Sequence, residues 1–182
     1  MKVTKTELSD CLIIEPKVFG DARGFFYESY QKDNYEIAGI AECFVQDNFS
    51  RSSKGILRGL HSQLSKPQGK LVTVIRGEVF DVAVDLRLWS PTFGQHMSIV
   101  LSEDNHKQLY IPPGFGHGFF ALSDEVDFHY KCTDYYDPSD EVGINWNDKD
   151  LNISWPTNTP LLSNKDKNLL SFEEYKNLVK GK

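Results

Sequence analysis

The stretch Phe80-Asp81-Val82-Ala83-Val84-Asp85-Leu86-Arg87 constrains this chain most, because Phe80, Val82, Val84 and Leu86 fall on one face and the charges on the other. That period of two is the side-chain repeat of a β-strand. Ser90-Pro91-Thr92 ends it. Before it, Lys70-Leu71-Val72-Thr73-Val74-Ile75 leads into Arg76-Gly77-Glu78, a glycine-bearing turn suited to linking two antiparallel strands. From residue 10 to 135 similar short alternating or apolar segments recur between Gly and Pro, with little helical periodicity. Further strands are expected over 25–30, 97–101, 108–111, 118–122 and 126–135. Many short strands at this spacing predict an all-β sandwich or barrel.

Two segments read as helical: residues 32–38, and the tail 169–180, where Phe172, Tyr175, Leu178 and Val179 recur at helical spacing and Ser171 with Glu174 offers a capping box. No repeat or low-complexity linker breaks the 182 residues, a length that suits one domain. A single domain over 1–182 is expected, with its barrel core over about 25–135 and a C-terminal arm over about 150–182 packed on the barrel.

The 20 Lys+Arg against 26 Asp+Glu give a net charge of −6, which argues against nucleic-acid binding. No apolar run approaches the roughly 18 residues of a membrane span, and Met1-Lys2-Val3-Thr4-Lys5-Thr6-Glu7 lacks the apolar stretch of a secretory signal, so a soluble cytoplasmic protein is expected. Cys11, Cys43 and Cys132 form no C-x-x-C pair and read as buried thiols. Aromatic residues make 13% of the chain, a load that suits a β-rich core or a pocket for flat or sugar-like ligands.

Two stretches carry the chemistry. Arg58-Gly59-Leu60-His61-Ser62-Gln63 precedes Gln68-Gly69-Lys70, and Ile111-Pro112-Pro113-Gly114-Phe115-Gly116-His117 follows about fifty residues later. They resemble the two signatures of the cupin jelly-roll barrel, the second through Pro112, Gly114 and His117. Gln63 stands where metal-binding cupins carry a second His, and Lys66-Pro67 replaces their acid, so no metal is expected. Strand parity places Lys70 on one face with Val72 and Val74, and Tyr130 with Val126 and Phe128, so both can point into an apolar interior. His61 and Gln63 share a face. Arg58, three positions from His61, does not, unless Gly59 marks a bulge or the arginine lies at the barrel mouth. Asp85 and Arg87 read as a structural ion pair, and His96, His106 and His129 as surface or packing residues.

The chain resembles the dTDP-4-dehydrorhamnose 3,5-epimerases, metal-free cupin-type enzymes of nucleotide sugars, along nearly its whole length. The resemblance is carried by Asp21-Ala22-Arg23-Gly24-Phe25-Phe26-Tyr27-Glu28, Gln46-Asp47-Asn48-Phe49-Ser50, the Arg58 and Lys70 blocks, the strand at Gly77 to Arg87 and Ser90-Pro91-Thr92-Phe93-Gly94. It continues through residues 113–120, Tyr130-Lys131-Cys132-Thr133-Asp134-Tyr135-Tyr136, Trp146-Asn147-Asp148, Ile153-Ser154-Trp155-Pro156 and Leu162-Ser163-Asn164-Lys165-Asp166. It implies inversion of C3 and C5 in a dTDP-4-keto-6-deoxy sugar without a cofactor, feeding L-rhamnose into surface polysaccharide, by a homodimer that exchanges strands.

By this resemblance His61 is the base, Asp166 orients it, Lys70 faces the C4 oxygen and Tyr130 is the acid. Arg23 and Arg58 meet the diphosphate, Phe26 stacks on thymine, and Glu28, Gln46, Asp47, Asn48, His117, Glu141 and Lys165 complete the substrate contacts. Arg23 and Glu28 are expected to serve the neighbouring subunit. Ser62 stands where relatives commonly carry an aromatic residue, and a single-site epimerase of another 4-keto sugar nucleotide is compatible with the same residues. A metal-dependent cupin oxygenase and a non-catalytic binding module are the competing readings.

Overall fold

The computed structural model describes residues 1–181. The described strands are β1 (Lys2–Lys5), β2 (Leu12–Glu15), β3 (Phe19–Asp21), β4 (Gly24–Phe26), β5 (Gln46–Ser53), β6 (Leu57–Gln63), β7 (Lys70–Arg76), β8 (Glu78–Asp85), β9 (His96–Ser102), β10 (Gln108–Ile111), β11 (Phe115–Ala121), β12 (Glu125–Cys132) and β13 (Glu141–Gly143). The helices are α1 (Lys32–Ile37) and α2 (Phe172–Lys180), with a 3-10 turn at Asp166–Asn168. A six-stranded sheet in the order β1-β2-β10-β7-β12-β5 faces a five-stranded sheet in the order β13-β6-β11-β8-β9, while β3 and β4 pair only with each other. No described helix is long and apolar enough to cross a membrane.

The two sheets enclose a core of Val72 and Val74 from β7, Phe128 from β12, Val79 and Ala83 from β8, and Phe115 and Phe119 from β11. The outer face of the five-stranded sheet is covered as well. There Leu57, Leu60, Val82, Val84 and Leu86 meet Ile144 and, from the C-terminal arm, Leu151, Trp155, Phe172 and Tyr175. Each fully buried Leu contributes roughly 1.5–3 kcal/mol. The backbone bonds Leu57 N to Leu161 O (3.0 Å) and Leu161 N to Gly55 O (2.8 Å) tie that arm to β6. Ser171 caps α2 as expected: its Oγ accepts from Glu174 N at 3.2 Å while the Glu174 carboxylate accepts from Ser171 N at 2.7 Å.

The structure changes some of these expectations. Gly77 (φ +78°) does not join a hairpin, because β7 and β8 lie in different sheets; it turns the chain from one layer to the other, with Glu125 O only 2.3 Å from where a Cβ would sit. The two faces of β8 divide as expected, the apolar one being taken by the arm while Asp81 and Asp85 point between the sheets, both fully buried. Asp85 is held there by Arg87 at 2.9 Å, Ser90 at 2.5 Å and Thr92 at 2.7 Å, the expected ion pair with two hydroxyls added. Finally, Cys11 and Cys132 are buried but Cys43 is exposed, in the surface loop between α1 and β5. Burial pushes the Cys11 thiol up to about 12. The strand expected over 25–30 stops at Phe26, and Ser29 O instead accepts from the side chains of Tyr35 and Gln108.

Candidate active site

A cavity of about 290 Å³ opens between the sheets. Its six-stranded wall supplies Gln46, Asn48, Ser50, Lys70, Phe128 and Tyr130; its five-stranded wall supplies Arg58, His61, His117, Phe119 and Glu141; Gln68 and Tyr136 line it from loops. Pairing explains the first wall. Tyr130 stands opposite both Asn48 and Val72, and Cys132 opposite both Gln46 and Lys70, so alternate residues of three adjacent strands share the inner face.

Arg58 and His61 both line this cavity because β6 is bulged against β11. His61 pairs with His117, but Arg58 pairs with Phe119, three residues matched against two. Leu57 and Leu60 thereby both face the arm while Arg58 and His61 both face inward. Gly59 adopts φ +108°, and a Cβ there would lie 2.5 Å from His117 O and 2.7 Å from the Gly118 Cα. Only glycine fits this crossing.

His61 Nε2 lies 2.6 Å from Asp166 Oδ1, and Asp166 Oδ2 accepts from Ser163 Oγ at 2.9 Å. Asp166 itself is 3% exposed. Burial works to raise its carboxyl, but the hydrogen bonds from His61 and Ser163 outweigh this and hold it below the ordinary aspartate value. An ionised carboxylate only accepts, so Nε2 is the donor in this pair and the lone pair of a neutral His61 ring lies on Nδ1. Lys70 is buried at the back of the cavity, and desolvation pulls its ammonium below the usual lysine range, opposed by Glu141 and Asp81. Burial raises the Tyr130 hydroxyl, which therefore holds its proton at neutral pH.

A second imidazole–carboxylate pair lies beside the first: His117 Nε2 is 3.0 Å from Asp81 Oδ2. Desolvation lowers the His117 ring despite the carboxylate that would raise it. At the rim, Glu141 accepts from Tyr136 Oη at 2.5 Å and is ion-paired with Lys165. Burial would raise Glu141, but Lys165 and Tyr136 together hold it low. Along the other wall Tyr136 N donates to Gln46 Oε1 (3.0 Å), Gln46 Nε2 to Asn48 Oδ1 (3.0 Å) and Asn48 Nδ2 to Cys132 Sγ (3.4 Å), so both amides are oriented by their neighbours. Gln63 braces loops instead of facing a ligand: its Nε2 donates to Lys66 O at 2.7 Å and its Oε1 accepts from Asp137 N at 2.8 Å.

Of the residues named from sequence, His61, Lys70, Tyr130, Arg58, Gln46, Asn48, His117 and Glu141 line the cavity, Asp166 backs His61, and Lys165 pairs with Glu141. Asp47 does not join them. Strand alternation turns it to the opposite face, where it takes Lys131 at 2.9 Å. Arg23, Phe26 and Glu28 also stand apart from this cavity: Arg23 bonds Asp21, Phe26 is 68% exposed, and Glu28 accepts from Asn34 at 3.0 Å. Sequence reasoning assigned no role to Asp81, Ser163 or Tyr136. Asp81 shares a strand face with Val79 and Ala83, a signal masked by its charge.

The chain is similar to known proteins along nearly its whole length. Residues 5–174 match the model of a family described as dTDP-4-dehydrorhamnose 3,5-epimerase. A dTDP-4-dehydrorhamnose 3,5-epimerase of Shigella flexneri is 57% identical over 174 residues, 94% of this chain and 96% of its own. The crystal structure of dTDP-6-deoxy-D-glucose-3,5-epimerase from Legionella pneumophila, in complex with dTDP-4-keto-L-rhamnose, is 54% identical, superposes with a TM-score of 0.91 and covers 94% of this chain and 93% of that one. The structure of the Bacillus anthracis dTDP-4-dehydrorhamnose 3,5-epimerase with TDP and PPi bound is 47% identical, with a TM-score of 0.92 over 94% of this chain and 99% of its own.

Proposed function

This chain belongs to the dTDP-4-dehydrorhamnose 3,5-epimerase family, and from that premise we propose that it inverts C3 and C5 of dTDP-4-dehydro-6-deoxy-D-glucose to give dTDP-4-dehydro-L-rhamnose. It is an isomerase with the all-β architecture of the solved epimerases. The observation that carries the mechanism is that His61 and Tyr130 line one cavity from opposite sheets. Inversion needs this separation, because the proton leaves one face of the ring and another must arrive from the opposite face.

Both reacting carbons lie next to the C4 ketone, so loss of either proton gives an enolate. His61 Nδ1 takes the proton, and Asp166 steadies the imidazolium that forms. The Lys70 ammonium meets the negative charge that develops on the C4 oxygen; such a donor contributes ~10² to 10³ in rate. Tyr130 then protonates the carbon from the other wall. After each inversion His61 releases its proton to solvent and Tyr130 takes one back, so the steps are redox-neutral and both side chains end as they began. Arg58, steadied by Ser52 Oγ at 3.0 Å and Arg51 O at 3.2 Å, offers its fork to the diphosphate.

Arg23, Phe26 and Glu28 serve the cavity of a second copy. In support, the β3–β4 hairpin pairs with no other described strand and exposes Phe19 (53%), Phe25 (62%) and Phe26 (68%), a cost in water that a partner surface removes. The working unit is then a cytoplasmic homodimer. NMR of the substrate turning over in deuterated water tests the reaction. Deuterium at both C3 and C5 is expected. Label at one carbon makes the protein a single-site epimerase, and dTDP binding without label makes it a binding module.

A further inference from the structure

We infer that His106 is a positioning residue that clamps the root of the β3–β4 hairpin, so that Arg23 and Phe26 are presented at a fixed angle to a neighbouring cavity. This rests on the arm-exchange reading above. Beyond its own ladder and the Asp21–Arg23 bond, the hairpin carries few polar ties to the body. Two features hold its root. Ser29 O accepts from Tyr35 Oη at 3.0 Å and from Gln108 Nε2 at 2.8 Å. Closer to the tip, the His106 ring lies 4.7 Å from Phe25 and 5.2 Å from Tyr27, whose own rings are nearly parallel at 6.1 Å. These separations fall within the attractive range for aromatic pairs.

The clamp is mounted on a rigid turn between β9 and β10. Asn105 Oδ1 accepts from Ser102 N (3.2 Å) and Lys107 N (2.9 Å), Asn105 Nδ2 donates to Val100 O (3.0 Å), and His106 N donates to Ser102 O (3.1 Å). His106 itself sits at φ +52°, a left-handed conformation that aims the ring away from the turn and onto the hairpin. Phe25 is 62% exposed, so the packing that fixes it is largely this three-ring stack. Phe26 sits in the chain between Phe25 and Tyr27, and Arg23 two residues before Phe25, so the direction of the stack sets theirs.

Steady-state kinetics on the full-length enzyme with dTDP-4-dehydro-6-deoxy-D-glucose test this, using His106→Asn, which tolerates the left-handed turn, and His106→Tyr, which restores a ring. Losing the stack is expected to raise KM about 5- to 10-fold with kcat within about twofold of wild type, and His106→Tyr to recover most of the loss. Melting temperatures near wild type establish that the variants are folded. An unchanged KM in His106→Asn, an equal fall in kcat, or no recovery in a folded His106→Tyr overturns the clamp. Arg23→Ala, measured alongside, separates the two ideas. If it leaves KM unchanged, the arm does not serve a site and the clamp falls with that reading; if it raises KM while His106→Asn does not, the clamp alone is wrong.

Discussion

Replacing Asp166 with Asn keeps the shape of the side chain but removes the charge that His61 Nε2 meets at 2.6 Å. In the wild type, Asp166 Oδ1 takes the ring and Oδ2 takes the Ser163 hydroxyl, so the carboxylate both selects the His61 tautomer and awaits its positive charge. A hydrogen bond to a charged group contributes about 1.5–3 kcal/mol. At 1.4 kcal/mol per decade, losing it during proton abstraction lowers kcat about 10- to 150-fold. Binding of dTDP is unaffected, because Asp166 lies behind the imidazole and outside the cavity lining. The assay is kcat and KM for the epimerisation together with dTDP affinity by calorimetry. A double variant supplies the sharper test: in a His61→Ala background, Asp166→Asn costs nothing further if Asp166 works through His61. A kcat loss under about threefold in the single variant, or full additivity in the double, refutes the dyad.

Tyr130→Phe removes the acid of the six-stranded wall and leaves the base untouched, so product formation falls by at least ~10² while solvent deuterium still enters the sugar; equal damage to both rates contradicts the role. Gly59→Ala places a Cβ 2.5 Å from His117 O at φ +108°, and a strain of roughly 1–3 kcal/mol lowers Tm by about 2–10 °C in a calorimetric scan. Activity falls with it, because the bulge aims both Arg58 and His61. For Asp85, burial would raise the carboxyl, but Arg87, Ser90 and Thr92 hold it below its ordinary value. Its folded value is thus the lower one, so its stabilisation is complete above the unfolded value of about 3.9 and is lost as pH falls further. Urea midpoints measured down through pH 4 show this decline, and Asp85→Asn flattens it.

Strand parity in the sequence was sufficient to place Lys70 and Tyr130 on inward faces, because each sits among alternating apolar neighbours that the core must bury. Arg58 was not legible in that way. Its direction depends on one extra residue in β6, and that residue matters only against the partner strand β11. Asp166 lies 105 residues from His61, and their contact follows from an arm docked through Leu57 and Leu161. The same arm decides which face of β8 is interior, since an apolar face covered from outside leaves the charged face between the sheets. Gly77 reads as a hairpin turn from local composition, whereas layer assignment is a property of the whole sheet order. Asp47 reads with its neighbours Gln46 and Asn48 in the family pattern, although alternation alone separates it from them.

The most direct test of two-walled proton transfer is a crystal structure of the enzyme with its 4-keto sugar nucleotide bound. It should place His61 Nδ1 and Tyr130 Oη on opposite faces of the hexose ring, with Lys70 Nζ at the C4 oxygen. Finding both groups on one face, or Lys70 away from that oxygen, would contradict the mechanism.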